Sequence, residues 1–218
     1  MNAHKQKLIW DSRYHAEGKI WGADPSHAAK LAVLEGYIQG GKKIAELGGG
    51  YGRNSAFFKE IGANPTLFDI SDIALENARK SYGLENTAKV DLTKSLPAEY
   101  LGGYDVVFCN FVLHLLDSKE RSNIIENSNL LLKDNGISIW TFLSTQDNEY
   151  RKGECVGEND YKMPRTSSIF HFFSMEEIRR LFFKWNLKLV QACNEIEMII
   201  RSVKKTDFWF VVAQKVGK

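Results

Sequence analysis

From Lys42 onward, the sequence alternates short apolar runs with longer segments of helical periodicity. Lys43–Leu47 is predicted to be the first strand, and the continuous apolar run Val106–Cys109 is typical of a parallel strand that is covered on both faces. The longer segments between them fit helices that cross from one strand to the next. The pattern predicts an α/β fold with a doubly wound, mostly parallel sheet.

In the rest of the chain, residues typical of helix starts and turns predict where the remaining helices, strands and loops begin. Leu187–Ile200 and Asp207–Gln214 are predicted to close the sheet as strands, one of them antiparallel, and segment 144–170 lacks periodicity and is predicted to be a long loop. The predicted helix starts and turns are Asp24 before Pro25, Ser71, the capping boxes Asp117/Glu120 and Ser174/Glu177, and the Asn135-Gly136 turn before strand Ile137–Leu143.

Length and composition limit the domain count and the classes of partner. A chain of 218 residues with 44% hydrophobic content is long enough for one sizeable core, so residues 1–218 are predicted to form a single domain. Its 29 basic and 27 acidic side chains are spread along the whole length. This balance disfavours nucleic acid and anionic membrane as partners, and we expect a monomer or a homodimer.

The cysteines indicate a reducing compartment, and the apolar segments are too short to predict a membrane span. Cys109, Cys155 and Cys193 have no spacing that would bind zinc, so no metal is expected. No run of about 18 apolar residues is present, and Met1–Lys7 does not resemble a secretory leader. We therefore expect a cytoplasmic protein that does not span a membrane.

A glycine-rich turn follows the first predicted strand, with Glu46, Gly48, Gly50 and Gly52 at alternate positions. Glycine permits positive φ and allows a ligand to lie against the backbone. A dinucleotide loop needs Gly or Ala where this turn has Arg53 or Ser55, and the P-loop lysine is also missing. A purely structural tight turn would look similar, so the residues downstream decide between the two interpretations.

The turn resembles the first motif of class I methyltransferases, which have a Rossmann-like fold. In that family the acidic residue and the three glycines surround the methionine part of S-adenosylmethionine. Gly49 departs from the family, which more often has a small side chain there. The resemblance implies S-adenosylmethionine as cofactor and S-adenosylhomocysteine as product.

Polar residues after the next three strands extend the resemblance. Asp69, followed by Ile70, stands where Rossmann-like sheets place a carboxylate against ribose hydroxyls. The pair Asp91-Leu92 corresponds to the family position that binds adenine, and Asn110 to the position that lines the methionine and methyl-donor end. Taken singly, Asp69 also fits a helix cap and Asp91 a solvated loop residue.

The N-terminal segment narrows the resemblance further. Residues Ile9–Tyr14 and Ile20–Gly22 look like those of small-molecule methyltransferases of the tellurite-resistance and thiopurine-methyltransferase-like groups. The resemblance implies that residues 1–23 form an arm over the cofactor. Segment 144–170 would then be a loop on the substrate side.

Three residues are candidates for the acceptor side, namely His114, Tyr14 and His171. His114 follows the strand end that the acceptor should approach, but it also fits a helix-packing residue. His171, among phenylalanines, fits a histidine at the edge of the core, and Tyr14 fits simple packing. The predicted activity is methyl transfer to a small molecule by in-line displacement, driven by proximity and orientation. The alternatives are a non-catalytic S-adenosylmethionine sensor or scaffold and a protein or RNA methyltransferase.

Overall fold

The computed structural model describes residues 3–164, 168–199 and 204–217. The helices are α1 (Ala3–Glu17), α2 (His27–Leu34), α3 (Arg53–Glu60), α4 (Asp72–Tyr82), α5 (Ser118–Leu131) and α6 (Met175–Lys184). The strands are β1 (Lys43–Leu47), β2 (Asn64–Asp69), β3 (Thr87–Lys89), β4 (Tyr104–Cys109), β5 (Leu132–Leu143), β6 (Glu154–Gly157), β7 (Asp160–Lys162), β8 (Ile169–His171), β9 (Leu187–Ile199) and β10 (Lys204–Lys215).

The main sheet has the order β3-β2-β1-β4-β5-β10-β9. Its body from β3 to β5 is parallel, and β10 runs antiparallel to both β5 and β9. The predicted α/β class, with one antiparallel strand near the C-terminus, is therefore confirmed. The strand order reverses between β1 and β4, and ligands of such sheets bind beyond the carboxyl ends of the strands at this point.

Both faces of the sheet are covered, which explains the continuous apolar run in β4. Val107 and Cys109 pack into one core layer with α5 and α6, whereas Val106 and Phe108 pack into the other layer with α2 and α3. Alternate residues of a strand point to opposite faces, so a strand buried on both sides needs apolar residues throughout. The two layers hold the strand ends rigidly in register.

The start and the end of α2 differ from the prediction. Ser26, not Asp24, caps the helix, because its hydroxyl accepts a hydrogen bond from the Ala29 amide and its own amide donates to the side chain of Asn54. The carbonyl of Asp24 accepts from Arg53 instead. The helix also ends at Leu34 rather than continuing to Gly40, although Ile38 beyond it is still buried.

Segment 144–170 contains strands rather than the predicted unstructured loop. Strands β6, β7 and β8 form a small antiparallel sheet, whose Tyr161 side chain packs with Leu143, Met163 and Phe172 in a cluster of their own. Strands this short have too few residues for a readable periodicity, so only the shared apolar cluster reveals them.

Two other local predictions need correction. Strand β5 begins at Leu132, and Asn135-Gly136 forms an irregularity within it, with φ of 61° at Asn135, rather than a turn before it. Ser174 caps α6, but the Glu177 carboxylate that would complete a capping box binds His171 instead. The cap at Ser71 and the box at Asp117/Glu120 form as predicted.

Candidate functional site

A cavity of about 810 Å³ opens at the carboxyl edge of the sheet, over the ends of β1, β2, β3 and β4. All of the predicted site residues except Gly52 and His171 line it. Those that do are Tyr14, Glu46, Gly48, Gly50, Asp69, Ile70, Asp91, Leu92, Asn110 and His114. Residues far apart in the sequence thus converge because the ends of parallel strands meet at one edge.

The glycine turn forms a backbone cradle on the floor of this cavity. Gly48, Gly50 and Gly52 have φ values of 64°, 60° and 82°, which L-residues with side chains rarely adopt. A Cβ at Gly48 would lie 2.6 Å from a methyl group of Val112, and one at Gly50 would collide with the Tyr14 hydroxyl. Glycine is therefore required at positions 48 and 50 by the turn conformation and by the packing of Val112 and Tyr14, and both residues line the cavity.

The other two glycines of the turn serve packing. A Cβ at Gly52 would lie 2.5 Å from Leu84, so Gly52 lets α3 approach α4 and β2 rather than facing the cavity. A Cβ at Gly49 would lie 2.6 Å from the carboxyl carbon of Glu46. Glycine at position 49 is thus required by the way Glu46 and Leu67 pack in this chain, which sequence reasoning missed.

Glu46 lies beneath the turn and is 1% exposed. Its carboxylate accepts hydrogen bonds from the Asn54 amide, at 3.0 Å, and from the Ser55 hydroxyl. Burial raises the pKa of Glu46 to about 7, although both hydrogen bonds oppose the rise. The side chain therefore joins the turn to the first turn of α3.

Asp69, at the end of β2, is also buried and faces the cradle. Its carboxylate accepts from the Gly50 amide at 2.8 Å and from the Ser71 amide at 2.9 Å, and burial raises its pKa. The amides of Gly48 and Gly49 donate to the carbonyl of Phe68 at 2.8 and 3.4 Å. The backbone N–H groups of residues 48–50 are thus used within the protein, which ties the cradle to the end of β2.

Asp91 and Leu92 form the next part of the cavity wall. The Asp91 carboxylate accepts from the amide and the hydroxyl of Thr93, at 3.0 and 2.6 Å. The Leu92 carbonyl accepts from the Asn127 side chain on α5 at 2.8 Å. Helix α5 therefore holds this loop in place at the edge of the sheet.

Aromatic residues of the N-terminal segment lie over the cradle. Tyr14 packs against Trp10 and Tyr51, and Trp21 stacks on Tyr51 with ring centroids 6.2 Å apart. The Tyr51 hydroxyl donates to the Gly22 carbonyl at 2.8 Å and so fastens the end of the segment to the glycine turn. Burial, reinforced by the Asp69 carboxylate, raises the pKa of Tyr14 well above its usual value. Its hydroxyl therefore stays protonated.

Helix α1 is fixed to α4 by polar contacts as well. The Ser71 hydroxyl donates to Asp11, and the Lys7 ammonium lies 3.0 Å from Asp72. Ser71 is the N-cap of α4 and Asp72 is its first residue, directly after the strand that ends in Asp69. These contacts place the aromatic residues of α1 over the cavity.

The two candidate histidines have different environments. His114 lies in a 3₁₀ turn, Leu113–Leu115, lines the cavity and makes an edge contact with the ring of Phe170 at 5.0 Å. His171 is 4% exposed and binds Asp160 and Glu177 at 2.7 and 2.8 Å, away from the cavity lining. The structure therefore does not bring His171 together with the other candidates: the neighbouring Phe170 lines the cavity, whereas the carboxylates of Asp160 and Glu177 bind His171 outside the lining.

Sequence reasoning missed several polar residues at the far end of the cavity, among them Arg53, Asp147, Glu197 and Thr206. Arg53 donates to the carbonyls of Trp21 and Asp24, each at 3.2 Å, and lies 3.8 Å from Glu197. Glu197 and Thr206 face each other on β9 and β10. No local motif marks Glu197 and Thr206, since they meet only by pairing across the sheet.

Within residues 3–164, 168–199 and 204–217, no three His, Cys, Asp or Glu side chains are grouped as a metal ion would require. None of the helices in these ranges is both long and apolar enough to cross a membrane.

The order of the sheet and the glycine cradle at its switch point define a class I methyltransferase fold. A family model described as a methyltransferase domain matches residues 20–192. The chain therefore belongs to the methyltransferase-domain family. The narrower resemblance to the tellurite-resistance and thiopurine-methyltransferase-like groups stays a prediction.

Curated relatives of the chain include enzymes with different acceptors. It is 34% identical over 132 residues to the ubiquinone biosynthesis O-methyltransferase of Bordetella pertussis. The matched region covers 56% of this chain and 52% of that protein. It is 30% identical over 114 residues to the ribosomal protein L11 methyltransferase of Macrococcus caseolyticus. This matched region covers 50% of this chain and 34% of the relative. The chain thus spans about a third to a half of these relatives.

Solved structures resemble the fold over nearly the whole chain. The 1,6-didemethyltoxoflavin-N1-methyltransferase of Burkholderia thailandensis, with its substrate and S-adenosylhomocysteine bound, has a TM-score of 0.73 at 15% identity, covering 100% of this chain and 92% of that one. An S-adenosylmethionine-dependent methyltransferase from Methanosarcina mazei also has a TM-score of 0.73, at 19% identity, covering 85% of this chain and 98% of that one. At such identities the likeness shows a shared fold.

Proposed function

We propose that the protein transfers the methyl group of S-adenosylmethionine to a small-molecule acceptor. One observation carries the proposal: the glycine cradle and the polar residues after β2, β3 and β4 line the same cavity, as binding one extended nucleoside-like ligand requires. The cradle suits the cofactor because the backbone of Gly48 and Gly50 lines the cavity, and the methionine part could lie against it.

Each part of the cofactor has residues that suit it. Asp69 would accept hydrogen bonds from the ribose hydroxyls, beside Ile70. Asp91 and Leu92 would hold the adenine, and Asn110 would lie at the methionine end. S-adenosylmethionine supplies an activated methyl group on its sulfonium, so the protein needs no strong electrophilic catalyst.

The chain contributes orientation and the exclusion of water. The aromatic residues of α1 and Trp21 pack against Tyr51 of the glycine turn, where they would limit the entry of water. Holding an acceptor in line with the methyl group would supply about 7–11 kcal/mol of the barrier. His114, the acceptor-side candidate in the cavity, would take up a proton if the acceptor is a hydroxyl or an ammonium group.

The shape of the cavity favours a small acceptor over a macromolecular one. The cavity lining that includes Asn110 also includes Phe111, His114 and Phe170, and the His114 ring contacts both phenylalanine rings. Walls of this kind suit a compact ligand that is partly apolar. The Bordetella protein is named for ubiquinone biosynthesis and the Burkholderia protein for 1,6-didemethyltoxoflavin, and both names refer to small molecules, which supports the same choice. The Macrococcus relative is named for a ribosomal protein, so a protein acceptor is the competing outcome of the test.

The experiment has two stages. Calorimetry with S-adenosylmethionine and S-adenosylhomocysteine tests the cofactor site, and absence of binding would refute it. Incubation with methyl-labelled cofactor and a cell extract then separates small molecules from macromolecules by ultrafiltration. We expect the label in the low-mass fraction. Label on protein or RNA would refute the small-molecule acceptor, and binding without any labelled product would indicate a sensor rather than an enzyme.

A further inference from the structure

The side chain of Thr141, on β5, links two residues at the end of β4. Thr141 is 2% exposed, and its hydroxyl oxygen accepts a hydrogen bond from the Phe111 amide at 2.7 Å. The same hydroxyl donates to the side-chain oxygen of Asn110 at 3.2 Å. Because the Phe111 amide can only donate, the single proton of the hydroxyl remains for Asn110.

This arrangement fixes the direction of the Asn110 amide. An asparagine side chain can turn either its carbonyl oxygen or its amino group toward a ligand, and only its hydrogen bonds decide which. Since the side-chain oxygen of Asn110 accepts the hydrogen bond from the Thr141 hydroxyl, the amino group is the part of the amide that a ligand in the cavity meets. Asn110 therefore acts as a donor and needs a ligand atom with a lone pair.

The backbone at this position is also held in an uncommon conformation. Phe111 has φ of 52°, which is unfavourable for a residue with a bulky side chain. Its amide is anchored by Thr141, so the conformation that directs the chain away from β4 depends on the same hydroxyl. Uncommon conformations of this kind persist where surrounding contacts enforce them.

The nearby backbone donors are already used. The amides of Gly48 and Gly49 donate to the Phe68 carbonyl, and that of Gly50 donates to Asp69. A carboxylate above the cradle thus receives no hydrogen bond from these three amides. A donating side chain at the adjacent strand end would meet that need.

We propose that Thr141 is a positioning residue, which holds the Asn110 amide so that its amino group donates to the methionine carboxylate of the cofactor. The inference rests on the proposed function, because it assumes the cofactor's methionine part lies above Gly48 and Gly50. The amino group has no acceptor atom, so the ammonium of the methionine part is excluded as its partner.

The test compares two probes by calorimetry. S-adenosylhomocysteine contains the carboxylate, whereas 5′-methylthioadenosine lacks the whole amino-acid part. Thr141→Val removes the hydroxyl at nearly constant shape and should weaken S-adenosylhomocysteine binding about tenfold, as expected for loss of one hydrogen bond to a charged group. Thr141→Ser keeps the hydroxyl and should bind the same probe nearly as the wild type does. Binding of 5′-methylthioadenosine should stay unchanged in both variants.

A double-mutant cycle shows whether Thr141 acts through Asn110. In an Asn110→Ala background, Thr141→Val should have a much smaller effect on S-adenosylhomocysteine affinity, because only its hydrogen bond with the Phe111 amide remains to be lost. Additive losses, or an equal loss with both probes, would mean that Thr141 has only a structural role and would overturn the proposal. Unchanged affinity of Thr141→Val for S-adenosylhomocysteine would overturn it as well.

Asn110→Asp tests the polarity without altering Thr141. The substitution replaces the amino group by a carboxylate oxygen, so it should weaken S-adenosylhomocysteine at least tenfold while leaving 5′-methylthioadenosine unchanged. Wild-type affinity in this variant would refute the donor role of Asn110. Failure of the proposed function is seen separately, as absence of S-adenosylhomocysteine binding to the wild-type protein.

Discussion

The buried carboxyl of Glu46 should make the stability of the protein fall between pH 5 and pH 8. Its pKa is raised from an ordinary 4.5 to about 7 because it is buried. Between these two values the folded chain keeps a proton that the unfolded chain has lost, so stability decreases as pH rises. A rise of this size corresponds to about 3 kcal/mol of unfolding free energy, lost by pH 8.

Glu46→Gln isolates this contribution. Glutamine has nearly the same shape, its side-chain oxygen can still accept from Asn54, and the Ser55 hydroxyl can turn to accept from its amino group. The five tryptophans allow urea unfolding to be followed by fluorescence at each pH. We expect the difference in unfolding free energy between wild type and variant to change by about 3 kcal/mol from pH 5 to pH 8, with the wild type losing stability.

Two controls make the result specific. Ser55→Ala removes a donor to the carboxylate, so it should raise the pKa of Glu46 further and extend the decline to higher pH. Glu85→Gln, at an exposed position, should leave the pH profile of the wild type unchanged. If the profiles of wild type and Glu46→Gln run parallel across this range, the argument from burial is wrong.

Three further substitutions test the site. Gly50→Ala should cost about 1–2 kcal/mol of stability at its φ of 60° and, by displacing Tyr14, weaken S-adenosylhomocysteine in calorimetry; wild-type affinity would contradict the cradle. Asp69→Asn should weaken the same ligand about tenfold through loss of charge-assisted hydrogen bonds, and equal binding would refute the ribose assignment. His114→Ala should keep cofactor affinity but lower labelled-methyl transfer about 100-fold, and unchanged turnover would leave it a packing residue.

The strands at the centre of the sheet could be predicted because their signal is local. An uninterrupted apolar run such as that of β4 is needed wherever both faces of a strand are covered. The cap of α4 was readable for the same reason, since Ser71 and its bonding partner Ala74 are three residues apart. Local hydrogen-bond chemistry decides such positions almost alone.

Elements that depend on distant partners could not be predicted. Asp24 and Ser26 are both acceptable helix caps, and only the contacts of Asn54 and Arg53 choose between them. Strands β6 to β8 exist because Tyr161 packs with residues from outside its own strand. The partners in these contacts are far apart in the sequence, so no local pattern predicts them.

The candidate site divides in the same way. The glycines at 48, 50 and 52 were predictable, because a positive φ disfavours most other residue types and glycine itself is therefore the signal in the sequence. Only the tertiary structure decided that Gly52 serves helix packing, that Glu46 lies beneath the turn, and that His171 faces away from the cavity. A residue type reports the conformation its backbone must adopt, whereas the direction of a side chain is decided by what packs around it.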